Sequence, residues 1–188
     1  MKSDVYSNGP YTGAIAEIDT NYFTLSKTLE VKANPFDIAV DENGNLYISS
    51  ASGQDENIKI YSLQKNIEVP NSISGNVGLY AGTYIFYNSA ASKLYFISIA
   101  LSPNRLNAVE VNNGIPKQEY YDETSSYYKG LHPFVKVSPD GTSLYDNLGN
   151  VIESTMFESG DMVQRFILGK SYNDYAFSLQ NGFVFGAA

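Results

Sequence analysis

Apolar and polar residues alternate along most of this chain with a period of two, and no window carries the spacing of a helix face. Ile38-Ala39-Val40 rises into the polar turn Asp41-Glu42-Asn43-Gly44, and Leu46-Tyr47-Ile48-Ser49-Ser50 follows as a second strand. Beyond the polar loop Ser52-Gly53-Gln54-Asp55-Glu56-Asn57, the stretch Ile58–Leu63 predicts a third strand. It sets Ile58 and Ile60 on one face, with Lys59 and Tyr61 on the other. A weaker fourth strand around Ile67-Glu68-Val69 is closed by Pro70 and Asn71.

The same plan then returns. Thr83–Tyr87, Leu94–Ser98, Arg105–Val111 and Gln118–Tyr121 predict four strands, although the turn Asn88-Ser89-Ala90-Ala91-Ser92 lacks glycine. A third unit runs from His132 through Leu144-Tyr145, Val151–Ser154 and Val163–Ile167. Asp174–Leu179 and Gly182–Phe185 supply two strands of a fourth unit. Towards the amino end, Gly13–Asp19 and Ser26–Val31 predict a third and a fourth strand, with Asp4-Val5-Tyr6-Ser7 as the remnant of a second.

The repeat is also written in residues. Asn34-Pro35-Phe36, an alternating strand, an acidic glycine turn and Leu46-Tyr47 recur as His132-Pro133-Phe134, a strand, Ser138-Pro139-Asp140-Gly141 and Leu144-Tyr145. Leu46, Leu94, Leu144 and Phe183 open successive second strands. Four antiparallel strands in roughly 40–50 residues is the size of one β-propeller blade, and a blade buries its apolar faces only against neighbouring copies. The expected fold is therefore all-β: a partial ring of about four blades, one domain or fragment over 1–188. Its expected parts are a partial blade over 13–31, blades over 34–75, 80–124 and 131–169, and a second partial blade over 171–187.

Composition narrows the partners. The net charge is −8 and the 12 basic residues are scattered, which argues against nucleic acid or an anionic membrane. The 16 tyrosines and 10 phenylalanines, with no tryptophan, suit strands whose rings are half-buried. No cysteine is present, so disulfides and thiolate metal sites are excluded. No stretch approaches the ~18–20 apolar residues of a membrane-spanning helix, and no apolar core follows Met1-Lys2-Ser3-Asp4 as in a signal peptide. An export signal or wall anchor is accordingly expected outside these residues.

The stretch Pro35–Ser49 resembles a YVTN/NHL-type β-propeller blade. With Gly13–Asp19 and His132-Pro133-Phe134 it is similar to propeller domains of secreted or wall-attached Gram-positive proteins, some of which carry S-layer homology modules elsewhere. The middle unit departs from the pattern, lacking both the Pro-Phe opening and the Asp-Gly turn. The resemblance implies an extracellular or cell-wall location and a ring of six to eight blades in a longer parent. Three arrangements would cover the apolar faces of the end blades. The two ends could close on each other, two copies could associate as a homodimer, or further blades of a longer chain could complete the ring.

The candidate chemistry is sparse. His132, the one histidine, stands where the first copy of the repeat has Asn34, which makes it a strand-opening residue rather than a base or ligand. Asp41–Asn45 has the look of a calcium loop but lacks the glutamate at the twelfth position and the flanking helices of an EF-hand. Asp55-Glu56 and Asp122-Glu123 read as solvated loop carboxylates. Propeller lactonases and related hydrolases hold a metal at the channel with acids and amides. The inner strands here offer Asp37, Asn88 and Asp174, at unmatched heights. The sequence therefore predicts no catalytic residue, metal or cofactor. Tyr120, Tyr121, Tyr127 and Tyr128 are the candidate ligand-binding residues, since adjacent tyrosines on a strand face opposite ways and a rigid aromatic suits protein or carbohydrate contact. The resulting expectation is a non-catalytic binding or scaffolding propeller. A hydrolase or lyase with a channel metal and a structural wall spacer are the alternatives.

Overall fold

The computed structural model describes residues 12–52, 58–70, 79–98, 104–121 and 134–188. Those residues form sixteen strands and no helix, so none is long and apolar enough to cross a membrane. Three sheets are complete antiparallel four-stranded meanders. Blade one is β3 (Pro35–Val40), β4 (Asn45–Ser50), β5 (Lys59–Ser62) and β6 (Ile67–Val69), after β1 (Gly13–Asp19) and β2 (Thr24–Val31), which pair with each other alone. Blade two is β7 (Ile85–Asn88), β8 (Lys93–Ile97), β9 (Leu106–Asn112) and β10 (Ile115–Tyr121). Blade three is β11 (Val135–Val137), β12 (Ser143–Asp146), β13 (Asn150–Glu153) and β14 (Gln164–Ile167). A separate pair, β15 (Asp174–Ser178) and β16 (Phe183–Ala187), follows.

The core lies in the seams between blades, and the Leu-Tyr dipeptide of each second strand builds it. Neighbouring side chains on a strand point to opposite faces. Leu46 therefore packs backward with Ile15, Leu29, Val31 and Ile48, while Tyr47 packs forward with Ile60, Leu94, Phe96 and Val109. One blade on, Leu94 closes that same seam, and Tyr95 faces the next with Ile97, Leu106, Leu144, Ile152 and Met162. Tyr145 in turn lies edge-on to Phe177, with ring centres 5.3 Å apart, and tilted against Tyr175 at 5.4 Å.

The glycine-free turn of blade two keeps register all the same. Tyr87 sits opposite Leu94 as Val40 sits opposite Leu46. Ser92 adopts the left-handed conformation that Gly44 takes in blade one, and Asn88 Oδ1 accepts the Ala90 N–H at 3.0 Å. Glycine is required at 141, where φ is +73° and a Cβ would stand 2.4 Å from Ala90 Cβ.

One assignment from sequence shifts by a residue. Phe177 pairs with Val184, as Val40, Tyr87 and Val137 pair with Leu46, Leu94 and Leu144. Val184-Phe185, not Phe183, thus holds the Leu-Tyr position. The two end pairs are also separate sheets, so the ends do not join into one blade here.

Leu144 is fully buried in the seam between blades two and three. Leu144→Ala is expected to cost about 2–5 kcal/mol, from lost burial and the cavity left behind. Urea denaturation followed by tyrosine fluorescence checks this, and a loss under about 1 kcal/mol would contradict the seam as the seat of stability.

Candidate binding surface

The inner strands carry the polar residues that a channel site would draw on, and each is engaged by an adjacent blade. Asp37 Oδ2 accepts the Ile85 N–H of β7 at 2.9 Å. Burial pushes its carboxyl above the ordinary value, against the pull of the hydrogen bonds from the Ile85 and Ile38 backbone. Asn88 is buried and donates through Nδ2 to the Gly141 carbonyl and to Ser154 Oγ, each at 2.7 Å. Lys136 on β11 pairs with Asp174 Oδ1 at 2.6 Å, which holds that carboxyl below its ordinary value.

A larger polar knot ties blade two to blade three. Lys93 Nζ, fully buried, donates to the Thr155 carbonyl at 2.6 Å and to Asp161 Oδ2 at 3.1 Å, and lies 5.3 Å from the centre of the Tyr120 ring. The Asp161 carboxylate also accepts the Tyr95 hydroxyl at 2.9 Å, the Tyr120 hydroxyl at 2.6 Å and the Thr155 N–H at 2.9 Å. Burial, together with the Asp161 charge, drives both tyrosine hydroxyls far above their ordinary pKa. Tyr47 is driven up likewise by burial and by Asp41, and Tyr87 is pushed up to about 12 by burial and by Glu42. Sequence reasoning missed this knot. Its one visible sign is a lysine at 93, where the other full blades place Asn45 and Ser143.

The calcium-like loop is a turn. Asp41 Oδ1 accepts the N–H groups of Asn43 and Asn45, and Oδ2 accepts Asn45 Nδ2 and the Tyr47 hydroxyl, all at 2.8–2.9 Å. The same Asp-x-x-Gly-Asn device recurs at Asp146, which accepts from the Leu148 and Asn150 backbones and from Asn150 Nδ2. Among the described residues no three His, Cys, Asp or Glu side chains converge as metal ligands.

The surface chemistry is different. Tyr120 and Tyr121 do face opposite ways: Tyr120 turns in to Asp161, whereas Tyr121 is 44% exposed with the Arg105 guanidinium 4.3 Å from its ring centre. Tyr127, Tyr128 and His132 lie outside the described residues, as do Asp4–Ser7 and the loop carboxylates at 55, 56, 122 and 123. Between blades one and two, Asn43, Asn45, Gln64, Lys65 and Asn113 line a cleft of about 260 Å³ together with Val69 and Ile115. Side-chain amides both donate and accept, which suits hydroxyls or peptide groups. Large apolar side chains stand exposed on the two end pairs, among them Ile18, Tyr22, Phe23, Leu25, Leu179, Phe183 and Phe185.

No protein-family model matches this chain, and neither does any curated protein. Solved structures do resemble it. A protein from Lactobacillus plantarum aligns over 97% of this chain and 57% of its own, with a TM-score of 0.65 and 14% identity. Hydrazine synthase of Kuenenia stuttgartiensis aligns over 90% of this chain and 47% of its own, with a TM-score of 0.59 and 16% identity. The β-propeller domain of Cps50 (Swd1) from Myceliophteria thermophila aligns over 89% and 53%, with a TM-score of 0.57 and 10% identity. At such identities the likeness shows the fold, and the fold is a β-propeller. The chain spans about half the length of the structures it matches.

Two outcomes are expected from the knot. Asp161→Asn leaves Lys93 charged and buried without its counter-ion and is expected to cost about 3–5 kcal/mol, with Lys93→Met/Asp161→Asn recovering part of the loss. Denaturant titration of both single variants and the double variant checks this; a double-variant loss equal to the sum of the two single losses would show that the pair is not coupled. The buried tyrosines predict a fall in stability at alkaline pH. Their folded pKa values lie above the unfolded value of 10.0, so their contribution is complete below pH 10 and is lost as pH rises beyond it. Melting from pH 7 to 11.5, followed beside tyrosinate absorbance, should show a group of tyrosines that ionises only on unfolding.

Proposed function

We propose that this chain is a non-catalytic binding or scaffolding module, a β-propeller arc of a secreted or cell-surface protein that contacts protein or carbohydrate. The observation that carries the reading is a division of labour among polar groups. Asp37, Asn88, Lys93, Asp161 and the Lys136–Asp174 pair all hold blade to blade, while Tyr121 with Arg105 and the amide-ringed cleft are left at the surface. An acid fixed by a backbone N–H or a buried lysine is a poor proton carrier, so the hydrolase or lyase alternative has less to rest on. A guanidinium stacked on an exposed tyrosine is an amphipathic platform of the kind enriched where proteins bind sugars and other proteins.

Purified cell-wall polysaccharide and an array of glycans are the first probes, read by calorimetry or surface plasmon resonance. Binding to one class is expected. Tyr121→Ala combined with Arg105→Ala should weaken it about fivefold or more, from the stacking lost, with melting unchanged. Binding that survives the double variant moves the site away from Tyr121, and no binding to glycans or to secreted proteins leaves the spacer reading. Labelling intact cells with antibody tests the location.

A further inference from the structure

The third and fourth strands of a blade are joined by residues 63–66 in blade one and 113–114 in blade two, but by residues 154–163 in blade three. Each short connection turns through a left-handed asparagine, Asn66 or Asn113. The long one is an insertion into a single copy of the repeat. Such insertions map to loops on one face, and loops held by a rigid scaffold are where binding residues concentrate.

The base of this loop is fixed. The Met162 N–H donates to the Glu153 carbonyl at 2.9 Å, and the Met162 side chain is buried in the seam between blades two and three. Across the loop, the Thr155 N–H donates to Asp161 Oδ1 at 2.9 Å. Thr155 Oγ1 donates to the Phe157 carbonyl at 2.6 Å, and the Asp161 N–H to the Glu158 carbonyl at 3.1 Å. Lys93 of blade two clamps both legs at once, through the Thr155 carbonyl and the Asp161 carboxylate. The buried knot therefore sets the shape of residues 155–161 as well as tying two blades.

What the clamp holds up is apolar. Between buried Ser154 and buried Asp161, Met156 and Phe157 stand 62% and 72% exposed. Turning the chain does not require them, since blade two makes the same connection with Asn113 and Gly114 alone. The charge beside them is Glu158, also exposed. Asp161 is met by Lys93 and Glu153 by Arg165, whereas Glu158 has no ion-pair partner among the described residues.

Resting on the binding role above, we infer that the loop Thr155–Asp161 is a docking element for a protein partner, with Phe157 and Met156 entering an apolar pocket rimmed by lysine or arginine. An aromatic side chain on a loop already held in shape leaves less freedom to lose on docking, and a few such anchors carry most of an interface's affinity. The unbranched methionine beside it adapts to the pocket wall. Charge selects the rim. Glu158 adjoins the anchor and the chain carries −8 overall, so a basic rim is attracted, while an acidic one or an anionic bilayer is repelled.

A disulfide-constrained random peptide library displayed on phage is the probe. Selection on the wild-type chain should yield peptides that combine apolar residues with Lys or Arg. Synthetic copies should bind Phe157→Ser at least about tenfold more weakly. Glu158→Lys should weaken them about threefold, with the difference fading at high salt. Both positions are exposed, so melting should not change. Tyr121→Ala with Arg105→Ala should leave the peptide affinity as it was. No enriched peptide, or peptides that bind Phe157→Ser equally well, overturns the docking role. Sedimentation with phosphatidylcholine vesicles that Phe157→Ser abolishes overturns it too, because the loop would then serve a lipid surface. If the peptides fail while wall polysaccharide still binds through Tyr121 and Arg105, the loop loses its role and the binding module keeps its own. Peptides that dock on the loop while no polysaccharide binds remove the carbohydrate reading alone.

Discussion

The fold depends on one constraint, that two neighbouring side chains of a second strand must be buried in two different seams. Leu46 and Tyr47 face opposite ways because successive residues of a strand must, and so do Leu94 and Tyr95. Neither face can be left in water without exposing a large apolar side chain, so no blade is satisfied alone. Each seam between complete blades takes a forward aromatic from one blade and a backward leucine from the next. A slip of one residue in any second strand would reverse both faces at once. The register is therefore held by packing on two sides as well as by turns, which explains how blade two keeps it without a glycine in its first turn.

Apolar seams alone set little about height, since a leucine can slide along a neighbouring sheet at small cost. The polar ties remove that freedom. Asp37 to the Ile85 N–H and Lys136 to Asp174 each join one inner strand to the next at one level, and Asn88 joins its inner strand to the next blade's first turn through the Gly141 carbonyl. The Lys93–Asp161 knot does so at larger stake. Burying two charges costs several kcal/mol before pairing returns it, and the return is complete only when the other donors and acceptors are filled. Asp161 meets that condition with two tyrosine hydroxyls and the Thr155 N–H, and Lys93 with the Thr155 carbonyl and the Tyr120 ring. Such a knot specifies which blade follows which more than it adds to stability.

The architecture was legible in sequence because its cause is local. Alternation at Ile58–Leu63, the acidic glycine turn at Asp41–Gly44 and the Leu-Tyr dipeptides each follow from neighbours a few residues apart. Phe183 misled as the first large apolar residue after the turn, whereas the left-handed glycine stands two residues before Leu46 and two before Val184. The partners of Tyr120 were not legible. Asp161 is 41 residues away and Lys93 stands on another strand, and nothing in the local pattern joins them. Alternation did give the directions of Tyr120 and Tyr121, while what each ring meets is a matter of tertiary packing. The tie that Asn88 makes between blades lay hidden for the same reason, since Gly141 and Ser154 belong to the next blade.

The end pairs extend the seam rule. In the first two blades the forward position is a tyrosine whose hydroxyl finds a carboxylate, Asp41 of the same blade for Tyr47 and Asp161 of the next blade for Tyr95. At 185 the residue is phenylalanine, which asks nothing polar of its neighbour. A tyrosine there would need an acceptor at one fixed place, whereas a bare ring packs against any apolar face that arrives at the right distance. In the seam between blade one and β1–β2, by contrast, Leu46, Ile48, Ile15 and Leu29 are already buried against one another. Phe185 thus keeps the direction of an interior seam residue with its polar demand removed.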